Sequence, residues 1–138
     1  MTALSSDRDT QRRNGDQASY PVAASTKIYP GAIVCANSAA AFVTKGATAT
    51  TLRPVGVAEE LADNSAGSNG AISVNVRRDG WFRFANSASG EAITLADVGA
   101  DCYIVDDQTV AKTNGSSSRS IAGKVRDVDA NGVWISFN

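Results

Sequence analysis

The sequence predicts an all-β domain: a small, compact barrel or sandwich of short antiparallel strands, with one short helical turn and an extended N-terminal arm. Three observations point there. Apolar residues alternate with polar ones at a period of two, most clearly across residues 71–84 (AISVNVRRDGWFRF). The composition leans on Ala, Ser, Gly, Thr and Val, with 20% charged residues and 3 prolines. Turn signals separate the apolar runs at the short spacing of many-stranded folds, which gives roughly eight to ten strands.

Residues 1–19 carry as many acidic as basic side chains and almost nothing to bury. They read as a flexible arm, either a terminal tail or a segment that orders on a partner through Arg8, Arg12 and Arg13. Residues 20–138 form the β-rich domain. Ile28-Tyr29 ends a strand, Pro30-Gly31 turns the chain, and Ala32 to Cys35 begins a buried strand. Residues 39–43 read as a further short strand, and Val55-Gly56-Val57-Ala58 as one in which Gly56 permits close backbone approach. Residues 63–70 hold no apolar side chain larger than Ala and read as a flexible loop.

Residues 71–84 read as a hairpin. A two-residue Asp79-Gly80 turn would place both Phe82 and Phe84 on the polar face. A three-residue loop with Gly80 in the left-handed position pairs Val76 with Phe82 and Val74 with Phe84, giving one apolar face. It also pairs Arg77 with Trp81 and Asn75 with Arg83, so Trp81 faces away from that core. Thr94, with Asp97 three residues on and Gly99 after it, has the spacing of a capped helical turn. Cys102 to Val105 reads as a strand buried on both faces. Asp106-Asp107 turns the chain into Thr109-Val110-Ala111, and residues 114–118 form a second flexible loop. Residues 121–128 pair with 133–137 across Asn131-Gly132, a turn that matches Val128 with Ile135 and leaves Val125 on the opposite face unless a bulge lies between them.

Chemistry is sparse. With 13 Lys plus Arg against 14 Asp plus Glu, the charge balance makes no case for nucleic acid or an anionic membrane. No apolar run reaches the roughly 18 residues of a membrane span, and the N-terminus lacks an apolar signal core, so synthesis in the cytoplasm is expected. The chain has no His, which removes the commonest general base and the usual triads. Cys35 and Cys102 stand far apart inside apolar runs and read as buried free thiols. The segment from Asp127 to Gly132 repeats the D-x-D-x-N-G opening of a calcium loop, but Asn138 stands where a bidentate Glu belongs and residues 133–137 read as a strand. No metal or other cofactor is expected. Arg77, Arg78, Trp81 and Arg83 are the one basic-aromatic cluster. They suit first a subunit contact, second packing within the chain, and third a nucleic-acid backbone.

Several stretches in one order resemble the capsid cement, or head decoration, proteins of tailed phages. They run from Pro21-Val22-Ala23-Ala24 through Lys27-Ile28-Tyr29-Pro30-Gly31-Ala32 to Val55-Gly56-Val57-Ala58-Glu59-Glu60. Val74-Asn75-Val76-Arg77-Arg78 follows, then Gly80-Trp81-Phe82-Arg83-Phe84 and Ala96-Asp97-Val98-Gly99. The run from Cys102 to Ala111, Ala122-Gly123-Lys124-Val125 and Gly132-Val133-Trp134-Ile135 complete the match, which spans residues 20–137. The resemblance implies a β-domain on the outer surface of a phage head, bridging neighbouring major capsid subunits, often as a homotrimer. A dimer is the alternative assembly. On this expectation the contact residues are Arg8, Arg12, Arg13, Tyr20, Arg77, Arg78, Trp81 and Arg83, and the protein is not an enzyme. The alternative is a glycan- or ligand-binding β-domain of a virion appendage.

Overall fold

Strand pairing in the computed structural model, which describes residues 2–137, sorts twelve strands into two units that share a wall. The strands are β1 (Gln17–Pro21), β2 (Thr26–Ile28), β3 (Ile33–Asn37), β4 (Thr44–Lys45), β5 (Leu52–Ala58) and β6 (Ala62–Asn64), followed by β7 (Ser73–Arg77), β8 (Phe82–Asn86), β9 (Asp101–Ile104), β10 (Thr109–Ala111), β11 (Ile121–Asp129) and β12 (Gly132–Ser136). A five-stranded sheet runs β1-β7-β5-β3-β4, and β2 pairs with β6 beside it. The remaining strands close a barrel in the order β10-β8-β12-β11-β9, sealed by a short parallel pairing of β10 with β8. The protein is all-β.

β3 and β5 form the shared wall. Alternate side chains of a strand point to opposite faces. Ile33 and Cys35 therefore join the core on the barrel side, with Phe84, Ile104, Val125 and Ile135, while Val34 enters a second core with Val22, Ile28, Val74 and Val76. The Pro30-Gly31 turn that launches β3 forms as the sequence predicts. Gly31 takes φ +87°, and the Ala32 amide donates to the Tyr29 carbonyl at 3.1 Å.

The hairpin expected over residues 71–84 does not form. β7 lies between β1 and β5, and β8 lies between β12 and β10, so neither has an edge left for the other. Arg78 to Trp81, with Gly80 at φ +83°, is a crossing from one unit to the other. Val74 and Val76 thus pack in the second core, and Phe82 and Phe84 in the barrel. Period-two alternation reports which face of a strand is buried; it does not report which strand lies beside it. Phe84 pairs instead with Val133, and Phe82 and Phe84 pack against Phe137, with ring centroids 5.6 and 6.3 Å apart.

Other boundaries shift for local reasons. The strand that opens the domain begins at Gln17, inside the expected arm, because its partner β7 extends to Arg77. Residues 39–42 are turn and bend, and the short strand there is β4. Residues 63–70 are tied down: β6 takes two of them, and the buried Asn64 amide donates to the carbonyls of Val22, Ala23 and Ser68. In β9, Cys102 and Ile104 are buried and Tyr103 is half-buried, so its burial is one-sided. β11 and β12 do carry a bulge between Val125 and Asp127, which puts Val125 opposite Ile135 and Val128 opposite Val133. The turn closing this pair uses Ala130-Asn131, one residue earlier than expected, since Asp129 faces Gly132. The capped turn is present. Thr94 accepts from Ala96, its amide donates to Asp97, and the 3₁₀ turn Leu95–Asp97 ends before Gly99 at φ +91°. A second 3₁₀ turn spans Ser89–Glu91.

Candidate interaction surface

Most of the predicted contact residues lie on two elements of this fold: the arm, and the outer side of the crossing from β7 to β8.

Residues 2–15 form neither helix nor strand, and every one of them is exposed. Arg8, Arg12 and Arg13 are exposed with the rest and make no ion pair among the described residues. The arm is anchored at its root, where the Arg78 amide donates to the Asp16 carbonyl at 3.0 Å and continues the β1–β7 ladder. Met1 of the arm lies outside the described residues, as does Asn138, which closes the domain and the calcium-loop pattern.

The predicted cluster of Arg77, Arg78, Trp81 and Arg83 is divided by the crossing. Arg77 ends β7, and its guanidinium lies against Asp79 at 2.8 Å; that hydrogen bond and charge push the Arg77 pKa up. Arg78 turns the other way and donates to the Phe137 carbonyl at 3.1 Å, joining the root of the arm to the end of the barrel. Trp81 is 58% exposed, as its outward parity predicts. Arg83 lies over the ring of Trp134 at 5.7 Å, with Asp129 accepting from the Trp134 indole at 2.9 Å. Tyr20 is half-buried and packs on the second core with Ala18, so it supports the sheet and offers little to a partner.

Trp134 is the residue missing from the sequence-derived set. Its parity, between buried Val133 and Ile135, already marks it as outward-facing. Only the pairing of β12 with β8, which sets Trp134 opposite Arg83, makes the two one feature.

Asp129, Asp106 and the two cysteines are engaged within the fold. Asp129 is held below its usual range by the Trp134 indole and the Asn131 amide, so both donors compete for the oxygens a cation would need. Asp106 accepts from the Gln108 amide in a tight turn. Cys35 and Cys102 are free and buried, and burial pushes both thiols up to about 12. At neutral pH they are protonated and poor nucleophiles. No helix of the described residues is long and apolar enough to cross a membrane.

Comparison of the chain with protein-family models, with curated proteins and with solved structures finds no match in any of the three. The class that fold and surface define is therefore an all-β domain with an exposed arm.

Proposed function

We propose that this chain is a cement protein of a tailed-phage head, a non-enzymatic structural subunit. It is made in the host cytoplasm, sits on the outer surface of the shell and bridges neighbouring major capsid subunits. The observation that carries the reading is the arm. Residues 2–15 are exposed throughout yet rooted in a strand that pairs along its length with β7. An extended segment that satisfies nothing at home gains contacts only on a partner, and a lattice of identical partners compensates for the ordering cost. The resemblance over residues 20–137 supports the same reading, as does a domain whose thiols and acidic turns are spent internally. The arm and the Trp81 side of the crossing are its contact elements, and a homotrimer is the assembly that fits a local threefold position. No nucleic acid or membrane is required.

The test is co-sedimentation of the purified protein with expanded heads of the phage that encodes it, and with unassembled major capsid protein. Saturable binding to expanded heads, with little to free subunits, is the expected result. No binding to heads rejects the proposal. The exposed Trp81 ring gives the glycan-binding alternative its one support, and saturable retention on a glycan column with no binding to heads would favour it.

A further inference from the structure

The sequence holds four Asn-Gly pairs: Asn14-Gly15, Asn69-Gly70, Asn114-Gly115 and Asn131-Gly132. Such a pair carries its own reaction. The glycine nitrogen can attack the asparagine side-chain carbonyl, since glycine has no Cβ to obstruct the approach. The attack needs a glycine N–H that is not spent in a hydrogen bond and a backbone free to turn until that nitrogen meets Cγ. The fold controls both conditions, so what holds each pair decides whether it reacts.

Three pairs are held. The Gly70 amide donates to the Val22 carbonyl at 2.9 Å, and Asn69 Oδ1 accepts from the Ala24 amide at 2.8 Å. The Gly115 amide donates to the Thr113 hydroxyl at 3.3 Å, and Asn114 Oδ1 accepts from the Ser117 amide at 3.2 Å. Gly132 is fixed in the β11–β12 ladder opposite Asp129, whose carboxylate accepts from the Asn131 amide at 2.7 Å. Asn14-Gly15 is different. Both residues are exposed and lie outside every helix and strand. Among the described residues neither the Gly15 amide nor the Asn14 side chain makes a hydrogen bond. The place where a Gly15 Cβ would stand has nothing within 4 Å.

We infer that Asn14 is a site of spontaneous deamidation, which cancels the arm's surplus positive charge close to its root. The bond from the Gly15 nitrogen to Asn14 Cγ forms as the bond from Cγ to Nδ2 breaks. Nδ2 leaves as ammonia, the Gly15 amide proton going with it, and a five-membered succinimide remains. Water then opens the ring at either carbonyl, giving aspartate or, where the chain now runs through Cγ, isoaspartate. Either product adds a carboxylate. Residues 2–15 carry Arg8, Arg12 and Arg13 against Asp7 and Asp9, so the new carboxylate removes the surplus. Isoaspartate also lengthens the backbone by one carbon just before Asp16, where the arm is anchored to Arg78. No core residue is touched. The reaction needs only the chain and water, so it stands apart from the cement proposal.

The experiment incubates the full chain in mildly alkaline buffer, beside Asn14→Gln and beside the parent chain unfolded in urea. Circular dichroism verifies folding of the first two. Ion-exchange chromatography counts the acidic species, and fragmentation of the intact chain in a mass spectrometer locates the gain of about 1 Da that replacing ammonia by water brings. In the folded chain Asn14 is expected to react at least about tenfold faster than each of the other three. A held pair must first open locally, and each 1.4 kcal/mol of opening slows it by about tenfold. The rate should rise with pH, because the attacking amide has first to lose its proton. Asn14→Gln, which would have to close a six-membered ring, should lose the early acidic species. In urea the four pairs should react at comparable rates. Modification of the folded chain first at Asn69, Asn114 or Asn131 overturns the inference, as does an Asn14→Gln chain that acidifies as fast as the parent. A folded chain that stays unmodified while the urea sample reacts also overturns it. The same preference for Asn14 in urea would do so too, because it would trace the selectivity to neighbouring sequence and not to the fold.

Discussion

Asn64 shows how much one side chain settles. It is 2% exposed, and its amide nitrogen serves three carbonyls that belong to two separate segments, Val22-Ala23 and Ser68. Asn64→Ala would leave the Ala23 carbonyl without its donor, while Val22 and Ser68 keep the amides of Gly70 and Ala71, and a loss of about 1–3 kcal/mol in urea unfolding is expected. Gly56 is as constrained. It sits at φ +147°, and a Cβ there would lie 2.6 Å from the Arg77 carbonyl oxygen in the neighbouring strand. Gly56→Ala should therefore cost at least about 2 kcal/mol, read by the same denaturation curve. Trp81 is the opposite case. With 58% of the residue exposed and no hydrogen bond from its indole among the described residues, Trp81→Ala should change stability by less than about 0.5 kcal/mol while weakening head binding. The carboxylates set the acid limit. Glu91 is held low first by the Thr113 hydroxyl and also by Arg119, Asp63 by Ser65, and Asp129 by Trp134. A lowered folded pKa stabilises above the ordinary value and loses that contribution as pH falls through the lowered one. Melting temperature should therefore drop as pH falls below about 4.5, the ordinary value for Glu, and on through 3.8, that for Asp. The drop should be shallower in Glu91→Gln/Asp129→Asn, and a flat profile in the parent would contradict the assignment.

At the scale of elements, what local chemistry dictates was readable in the chain. Pro30-Gly31 demands its turn and Thr94 and Asp97 their cap; each is a matter of a few neighbouring residues. The partner of a strand is not local information. Val74, Val76, Phe82 and Phe84 were legible as buried, yet their alternation fits a hairpin as well as it fits two strands in different units. For the same reason the exposure of Trp81 was legible and the company of Arg83 was not, because Trp134 reaches it from a strand some fifty residues later in the chain. Polar composition misled at residues 63–70 and at the start of β1, where one buried amide and one ladder of backbone bonds outweigh the lack of apolar side chains. The corrected boundary makes a prediction. Removing residues 1–15 should leave the melting temperature within a degree or two, since none of residues 2–15 is buried. Removing residues 1–19 takes away most of β1, exposing the β7 edge and uncovering part of the second core, and should destabilise the domain measurably.

As a whole, the molecule is two packed units on two shared strands, β3 and β5, with an arm at one end and an open edge at β1 beside the arm's root. Such a body resists deformation, because β3 feeds both cores and the crossing at Arg78 ties the root of the arm to Phe137. A rigid block with a reaching segment is what clamping a lattice under internal pressure requires. The clamping claim is met most directly by the temperature at which DNA-filled heads rupture, followed by the fluorescence of a dye that lights up on released DNA. Heads saturated with the full chain should rupture at a higher temperature than bare heads, and the chain lacking residues 1–15 should give little of that gain. Rupture at the same temperature with and without saturating protein would contradict the account.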